Sequence, residues 1–194
     1  MSSLVSRRRN VPWIHRWARQ IIGAIALLGA ANTAYLTINK LAKTTTVCPT
    51  NGCERVLESP YATVFGMPLA LFGLLAYVAM ATFALAPLVL NTEKNRQLRT
   101  TVESLTWWFL VIGATAMTMF SGYLMYIMFS QFVSKFGVGG ICYYCIASAI
   151  FALSMLVLTL LGRDWDDIGQ LLFTGVITAV VTLVATFAIY APIN

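Results

Sequence analysis

Five long apolar stretches, joined by short polar connections, constrain this chain more than any other feature of it. They run over about residues 18–38, 67–90, 105–129, 141–161 and 168–191. A helix needs about 20 predominantly apolar residues to cross the hydrocarbon core of a bilayer, and each stretch is long enough. None has a Lys, Arg, Asp or Glu in its central part; Arg19 stands at the rim of the first. Gly73, Pro87, Gly113 and Gly175 interrupt them, which is tolerated where neighbouring helices re-satisfy the backbone. Of 194 residues, 59% are hydrophobic and 10% charged, against about 25% charged in soluble domains. A soluble globule of this size still exposes roughly a third of its unfolded-chain area and could not hide so much apolar surface. An aqueous enzyme, a disordered tail and a nucleic-acid-binding module are excluded. The expected fold is an all-α integral membrane protein, a single membrane domain over residues 1–194 surrounded by lipid, with no internal repeat and no soluble domain.

The net charge of +6 reads as topology. Nine of the 13 Lys and Arg residues fall on one side: Arg7, Arg8, Arg9, Arg16, Arg19, Lys94, Arg96, Arg99 and Arg163. The other side has Lys40, Lys43, Arg55 and Lys135. Cytoplasmic loops collect basic residues, so the N-terminus is expected in the cytoplasm, or its organellar equivalent, and the C-terminus outside. The Arg run ahead of the first span then reads as an uncleaved signal anchor. Trp13, Trp17, Trp107, Trp108, Trp165 and Tyr190 fall near span ends, where aromatic belts form.

That topology gives the four cysteines their meaning. Cys48 and Cys53 follow the first span, and Cys142 and Cys145 open the fourth, so all are expected on the outer side, facing periplasm or lumen. Disulfides persist there. Cys142-Tyr143-Tyr144-Cys145 is a C-x-x-C at a helix start. Residues three apart on a helix have Cβ atoms roughly 5–6 Å apart, whereas a relaxed disulfide wants about 3.8 Å; only a first turn can adjust, and Gly137, Gly139 and Gly140 precede it. The unpaired N–H groups of a helix N-terminus also favour a thiolate. In Cys48-Pro49-Thr50-Asn51-Gly52-Cys53, Asn-Gly is a turn signal, so the loop can double back and bring its sulfurs together. So short a loop gains little from cross-linking, which points to exchange chemistry. Two closable pairs on one membrane face suggest a thiol–disulfide relay.

Plainer readings compete. Cysteine is often a small buried hydrophobe, and a Cys₄ zinc site has compatible local spacing. Haem attachment needs C-x-x-C-H, but Ile146 follows Cys145. The single histidine, His15, lies away from the cysteines, so no Cys-His or Ser-His-Asp arrangement can be built.

Cys48…Cys53, Ser59-Pro60-Tyr61, Phe65-Gly66-Met67-Pro68 and Cys142-Tyr143-Tyr144-Cys145 together resemble the vitamin K epoxide reductase family, particularly its bacterial and cyanobacterial members. The resemblance implies a four-helix bundle around a quinone, a fifth transmembrane helix, and electron flow from a thioredoxin-like protein or domain on the outer face through the loop pair to the C-x-x-C. The quinone would be a ubiquinone, plastoquinone, menaquinone or phylloquinone. By the same resemblance Cys48 would exchange with the partner, Cys53 would shuttle to Cys142, and Cys145 would meet the quinone. Ser59 matches the family's active-site Ser/Thr. Its own sequence context, Ser-Pro, is also an N-cap and first-position pattern, predicting a short half-helix after it in the first outer loop. A capping Ser would keep its proton free to donate, so a capping role and a catalytic one both stand. Many cyanobacterial-type members carry a fused thioredoxin-like domain after the fifth helix. This chain stops at Asn194, which implies either a separate partner or a longer chain.

The resemblance thus implies a membrane oxidoreductase that oxidises a thioredoxin-like partner, reduces quinone to quinol and supports disulfide formation in exported proteins. Tyr61, Phe65 and Tyr123 are candidate quinone-lining residues, although such aromatics are more often packing. Met117, Met119, Met125 and Met128 could form adaptable walls. Two alternatives are a DsbB-type oxidase, whose C-x-x-C lies in the first outer loop, and a non-enzymatic scaffold with structural disulfides. The lack of intramembrane charge argues against ion transport.

Overall fold

The computed structural model describes residues 13–42, 47–48, 51–89, 96–163 and 168–190, with side chains for all of these except 13–16, 88–89 and 96–100. Arg7, Arg8, Arg9, Lys43, Lys94 and Trp165, and the side chains of Trp13, His15, Arg16, Arg96 and Arg99, lie outside the described residues. Among the described residues, five helices are long and apolar enough to cross a membrane. They are α1 (Trp13–Ala42), α3 (Leu69–Val89), α4 (Arg96–Ile127), α6 (Tyr143–Leu161) and α7 (Ile168–Tyr190), with short helices α2 (Gly52–Glu58) and α5 (Ser134–Phe136) between them. The chain is an all-α membrane fold.

Helices α1, α3, α4 and α6 close a ring in which each packs on the next, and α7 lies against α4. Small residues allow that closeness. Ala18, Ile22, Ala26 and Ala30 recur every fourth residue along the buried stripe of α1, and such stripes let membrane helices approach backbone to backbone. Gly29 is the tightest point along α1, where an added Cβ would collide with the ring of Tyr77 on α3. Tyr77 is buried and reaches past α1 to α6, where its hydroxyl donates to the Ser148 carbonyl (2.8 Å) and lies 2.9 Å from the Ser148 hydroxyl. One side chain therefore ties three helices.

Arg19, at the rim of the first span, is buried. Its guanidinium donates to Thr106 Oγ1 (3.1 and 3.2 Å) and to the Glu103 carbonyl (2.9 Å), and lies 4.7 Å over the Trp107 ring. Burying a guanidinium is costly unless its donors are satisfied, and α4 satisfies them. Trp107 is accordingly a core residue, 4% exposed, and not only an interface anchor. Tyr190 is likewise fully buried.

The third span overruns its expected end at Phe129. No glycine or proline stops α4, so it continues through a π-helical stretch, Met128–Val133, into α5. A 3₁₀ turn over Gly137–Gly140 then leads to the fourth span.

In the first connection the short helix lies before Ser59, not after it. Asn51 stands at the N-cap position of α2 without a side-chain capping bond, and the helix ends at Glu58. Ser59 is extended (φ −66°, ψ 156°), as the residue before a proline prefers, and Pro60 has no N–H to continue the ladder. Only one 3₁₀ turn, Pro60–Ala62, follows. A two-residue hairpin comes next, β1 (Thr63–Val64) antiparallel to β2 (Met67–Pro68), with Val64 opposite Met67. Phe65 and Gly66 at its tip both have positive φ, the geometry that suits strand twist in tight hairpins.

Candidate active site

The four cysteines meet at one end of the bundle. Cys53, Cys142 and Met128 form a buried cluster, with Cys48, Cys145, Val56, Leu57, Met125, Tyr144 and Ile146 packed against it. Cys53 and Cys142 have no exposed surface, while Cys48 and Cys145 are half-buried. Cys48 and Cys53 are bonded to each other, with Cα atoms 6.2 Å apart. Cys142 and Cys145 are free thiols.

Helix α2 delivers Cys53 to this cluster. Lys40 Nζ on α1 donates to the Leu57 carbonyl at the C-terminal end of α2, where a cation complements the helix dipole. Arg55 stacks 4.2 Å over the ring of Phe136 at the end of α5. At its other end, Gly52 is buried so tightly that a Cβ would overlap the backbone of Ile141. Only glycine permits the approach.

Cys142 is the N-cap of α6, in an extended conformation (φ −99°, ψ 105°). Its sulfur accepts the Cys145 N–H at 3.4 Å, the bond a capping Ser or Asp would make. The Cys145 thiol, first, and the N–H groups of Cys145 and Tyr144 hold the Cys142 thiol below the usual cysteine range, against the opposing effect of burial. Its own N–H donates to Met128 Sδ at 3.4 Å. The π-helical stretch begins at Met128, and such insertions concentrate at functional sites.

The remaining expected residues are placed differently. The Ser59 hydroxyl donates to the Val56 carbonyl (2.6 Å) and makes no capping bond. Its proton is therefore committed to the backbone, contrary to the expected free donor, and its lone pairs are what remain. Tyr61 and Tyr123 do not join the cysteines. They pack with Tyr190 of α7 at ring separations of 6.0 and 5.7 Å, and the Tyr190 hydroxyl donates to the Tyr61 carbonyl (3.1 Å). Phe65 is 84% exposed at the hairpin tip. Of the four methionines, Met125 and Met128 join the cysteine cluster, whereas Met117 packs on the main core. Gly52 and Tyr144 also belong to this end of the bundle, and their places beside Cys53 and inside the C-x-x-C are the sequence signal for them.

The model of the vitamin K epoxide reductase family matches residues 20–160. The thiol-disulfide oxidoreductase LTO1 of Arabidopsis thaliana is 31% identical over 169 residues, covering 82% of this chain and 40% of that protein. This chain thus spans less than half the length of that relative.

Proposed function

We propose that this chain, which belongs to the vitamin K epoxide reductase family, is a quinone-linked thiol–disulfide oxidoreductase that oxidises the dithiol of a thioredoxin-like partner and reduces quinone to quinol, supporting disulfide formation in exported proteins. The reading rests on the order in which the sulfurs are buried. Cys48 is half-buried on the loop, Cys53 and Cys142 are fully buried in one cluster, and Cys145 lies in the first turn of a span. A soluble thiol would reach Cys48 first. A lipid-soluble oxidant would reach Cys145, which sits among apolar side chains including Met125 and Ile146, surroundings that suit such a molecule.

A partner thiolate attacks Cys48 and the Cys48–Cys53 bond breaks; the partner's second thiol releases it as a disulfide, leaving the loop pair reduced. Cys53 then attacks Cys142 of an inner disulfide and expels Cys145. Cys48 attacks Cys53 and expels Cys142, whose lowered affinity for a proton makes it a good leaving group. The inner pair now holds two electrons, as in the state described here, where the loop pair is bonded and the inner pair is two thiols. Quinone supplies the acceptor for those two electrons and two protons.

In this reading the cysteine end faces periplasm or lumen, as the basic residues suggest. Ser59 fixes the exit of α2 and offers its lone pairs as an acceptor. Tyr61 and Tyr123 brace the loop against α7, and Phe65 is an interface aromatic.

The test is purified protein in nanodiscs with a reduced thioredoxin-like protein, quinone reduction being followed by absorbance. Cys145→Ala should lose all turnover while unfolding at nearly the wild-type temperature. Absence of a cysteine-dependent signal with ubiquinone, plastoquinone, menaquinone and phylloquinone analogues alike would overturn the assignment.

A further inference from the structure

The residue before Cys48 is held on both sides of its peptide backbone by tyrosines. The Val47 N–H donates to the Tyr35 hydroxyl of α1 at 3.1 Å, and the Tyr144 hydroxyl donates to the Val47 carbonyl at 2.8 Å. The two rings lie 5.4 Å apart in a tilted contact. Tyr144 is itself fixed from α1, since Asn32 Nδ2 donates to its carbonyl (3.2 Å). Asn32 and Tyr35 are three residues apart and therefore share a face of α1. Tyr144 also lies between the two cysteines of the C-x-x-C in sequence, so one residue links the Val47–Cys48 backbone to the inner pair.

We infer that Tyr35 and Tyr144 form a latch, a pair of positioning residues that holds the Cys48 loop down on the inner pair and so favours exchange between Cys53 and Cys142 over exchange between Cys48 and external thiols. The inference rests on the relay proposed above. Both bonds face solvent, so water can replace them and the latch can open. With the latch closed, α2 keeps Cys53 against Cys142; with it open, Cys48 is free to meet a partner. The latch makes or breaks no covalent bond and changes only which exchange partner the loop pair meets.

The test uses the full chain with Cys48→Ala and Cys145→Ala, leaving Cys53 and Cys142. Glutathione disulfide converts Cys53 to its glutathione mixed disulfide, releasing one glutathione. Cys142 then attacks Cys53, releases the second glutathione and leaves a Cys53–Cys142 bond, read by mass spectrometry of the digest. Adding Tyr144→Phe keeps the ring and removes the hydroxyl, and should slow that bond's formation about three- to tenfold, the scale of one lost hydrogen bond. Tyr35→Phe should act in the same direction. In a chain with Cys142→Ala, reduction of the Cys48–Cys53 bond by glutathione should instead become faster with Tyr144→Phe by a similar factor. Opposite changes in the two rates mark a latch; general loosening or misfolding would move both the same way and would overturn it, as would unchanged rates. If the parent chain never forms the Cys53–Cys142 bond, the relay itself fails, a result separate from any effect of the tyrosines.

Discussion

Gly52 and Ile141 lie backbone against backbone, and each immediately precedes a buried cysteine, Cys53 and Cys142. That contact fixes the distance between the two sulfur pairs. A side chain at Gly52 would have to push α2 away from the start of the fourth span. Gly52→Ala should therefore slow Cys53–Cys142 cross-linking by about ten- to hundredfold, the effect of misplacing reacting groups by around 1 Å. Intrinsic helix propensity works the other way, favouring Ala by about 1 kcal/mol, so α2 should stay helical by hydrogen exchange. An unchanged cross-linking rate would show that the contact does not set the spacing.

The Cys142 thiol is held below the usual cysteine range, chiefly by the Cys145 thiol. Its thiolate should thus be present at a pH where an ordinary cysteine is still protonated. Replacing Cys145 with Ala removes the main donor, so the pH midpoint of Cys142 reactivity should rise relative to Cys145→Ser, which keeps a hydroxyl. The sign for stability follows by linkage. A lowered folded-state value stabilises the reduced protein fully above the unfolded-state thiol value of about 8.5 and loses that contribution as pH falls through the folded-state value. Thermal unfolding of the reduced chain should show this rise between the folded-state value and about pH 8.5, and Cys142→Ser should flatten it.

Ser59 offers a sharper distinction. With its proton bonded to the Val56 carbonyl, Ser59→Ala should cost about 1 kcal/mol of stability and lower turnover only a few-fold, by loosening the exit of α2. A loss of a hundredfold or more at unchanged stability would place the hydroxyl at the reacting atoms instead.

Arg19 secures the opposite end of the bundle. Lysine keeps the charge but not the planar fork that serves Thr106 and the Glu103 carbonyl together. Arg19→Lys should lower stability by roughly 1–2 kcal/mol, seen as a lower unfolding temperature in detergent, while the rate of Cys53–Cys142 cross-linking stays at its wild-type value. A slower cross-link in this variant would mean that the two ends of the bundle are coupled.

The spans were legible because a bilayer imposes a length and a composition that can be counted along the chain, and the boundaries of α3, α6 and α7 fall within two residues of those expected. The C-x-x-C was legible too, since both its spacing and its helix-start position are local. The first connection was less so. Ser-Pro can open a helix or close the one before it, and the choice fell to α2, which Lys40 and Arg55 hold in place before Ser59 is reached. The surroundings of the aromatic candidates were not legible for a related reason. Tyr61 and Tyr123 look like cavity residues along the chain, yet α7 brings Tyr190 between them, and ring packing takes them.

Sequence alone determined a five-span membrane protein with two cysteine pairs able to close, because apolar length and residue spacing need no knowledge of what lies across the bundle. Only the tertiary structure decided that the backbone at Gly52 packs on Ile141 beside Cys53 and Cys142, and that Tyr35 and Tyr144 hold Val47 between them. Those contacts join residues from distant parts of the chain, and they exist only once packing of the four-helix ring has brought the ends of α1 and α6 together beneath α2.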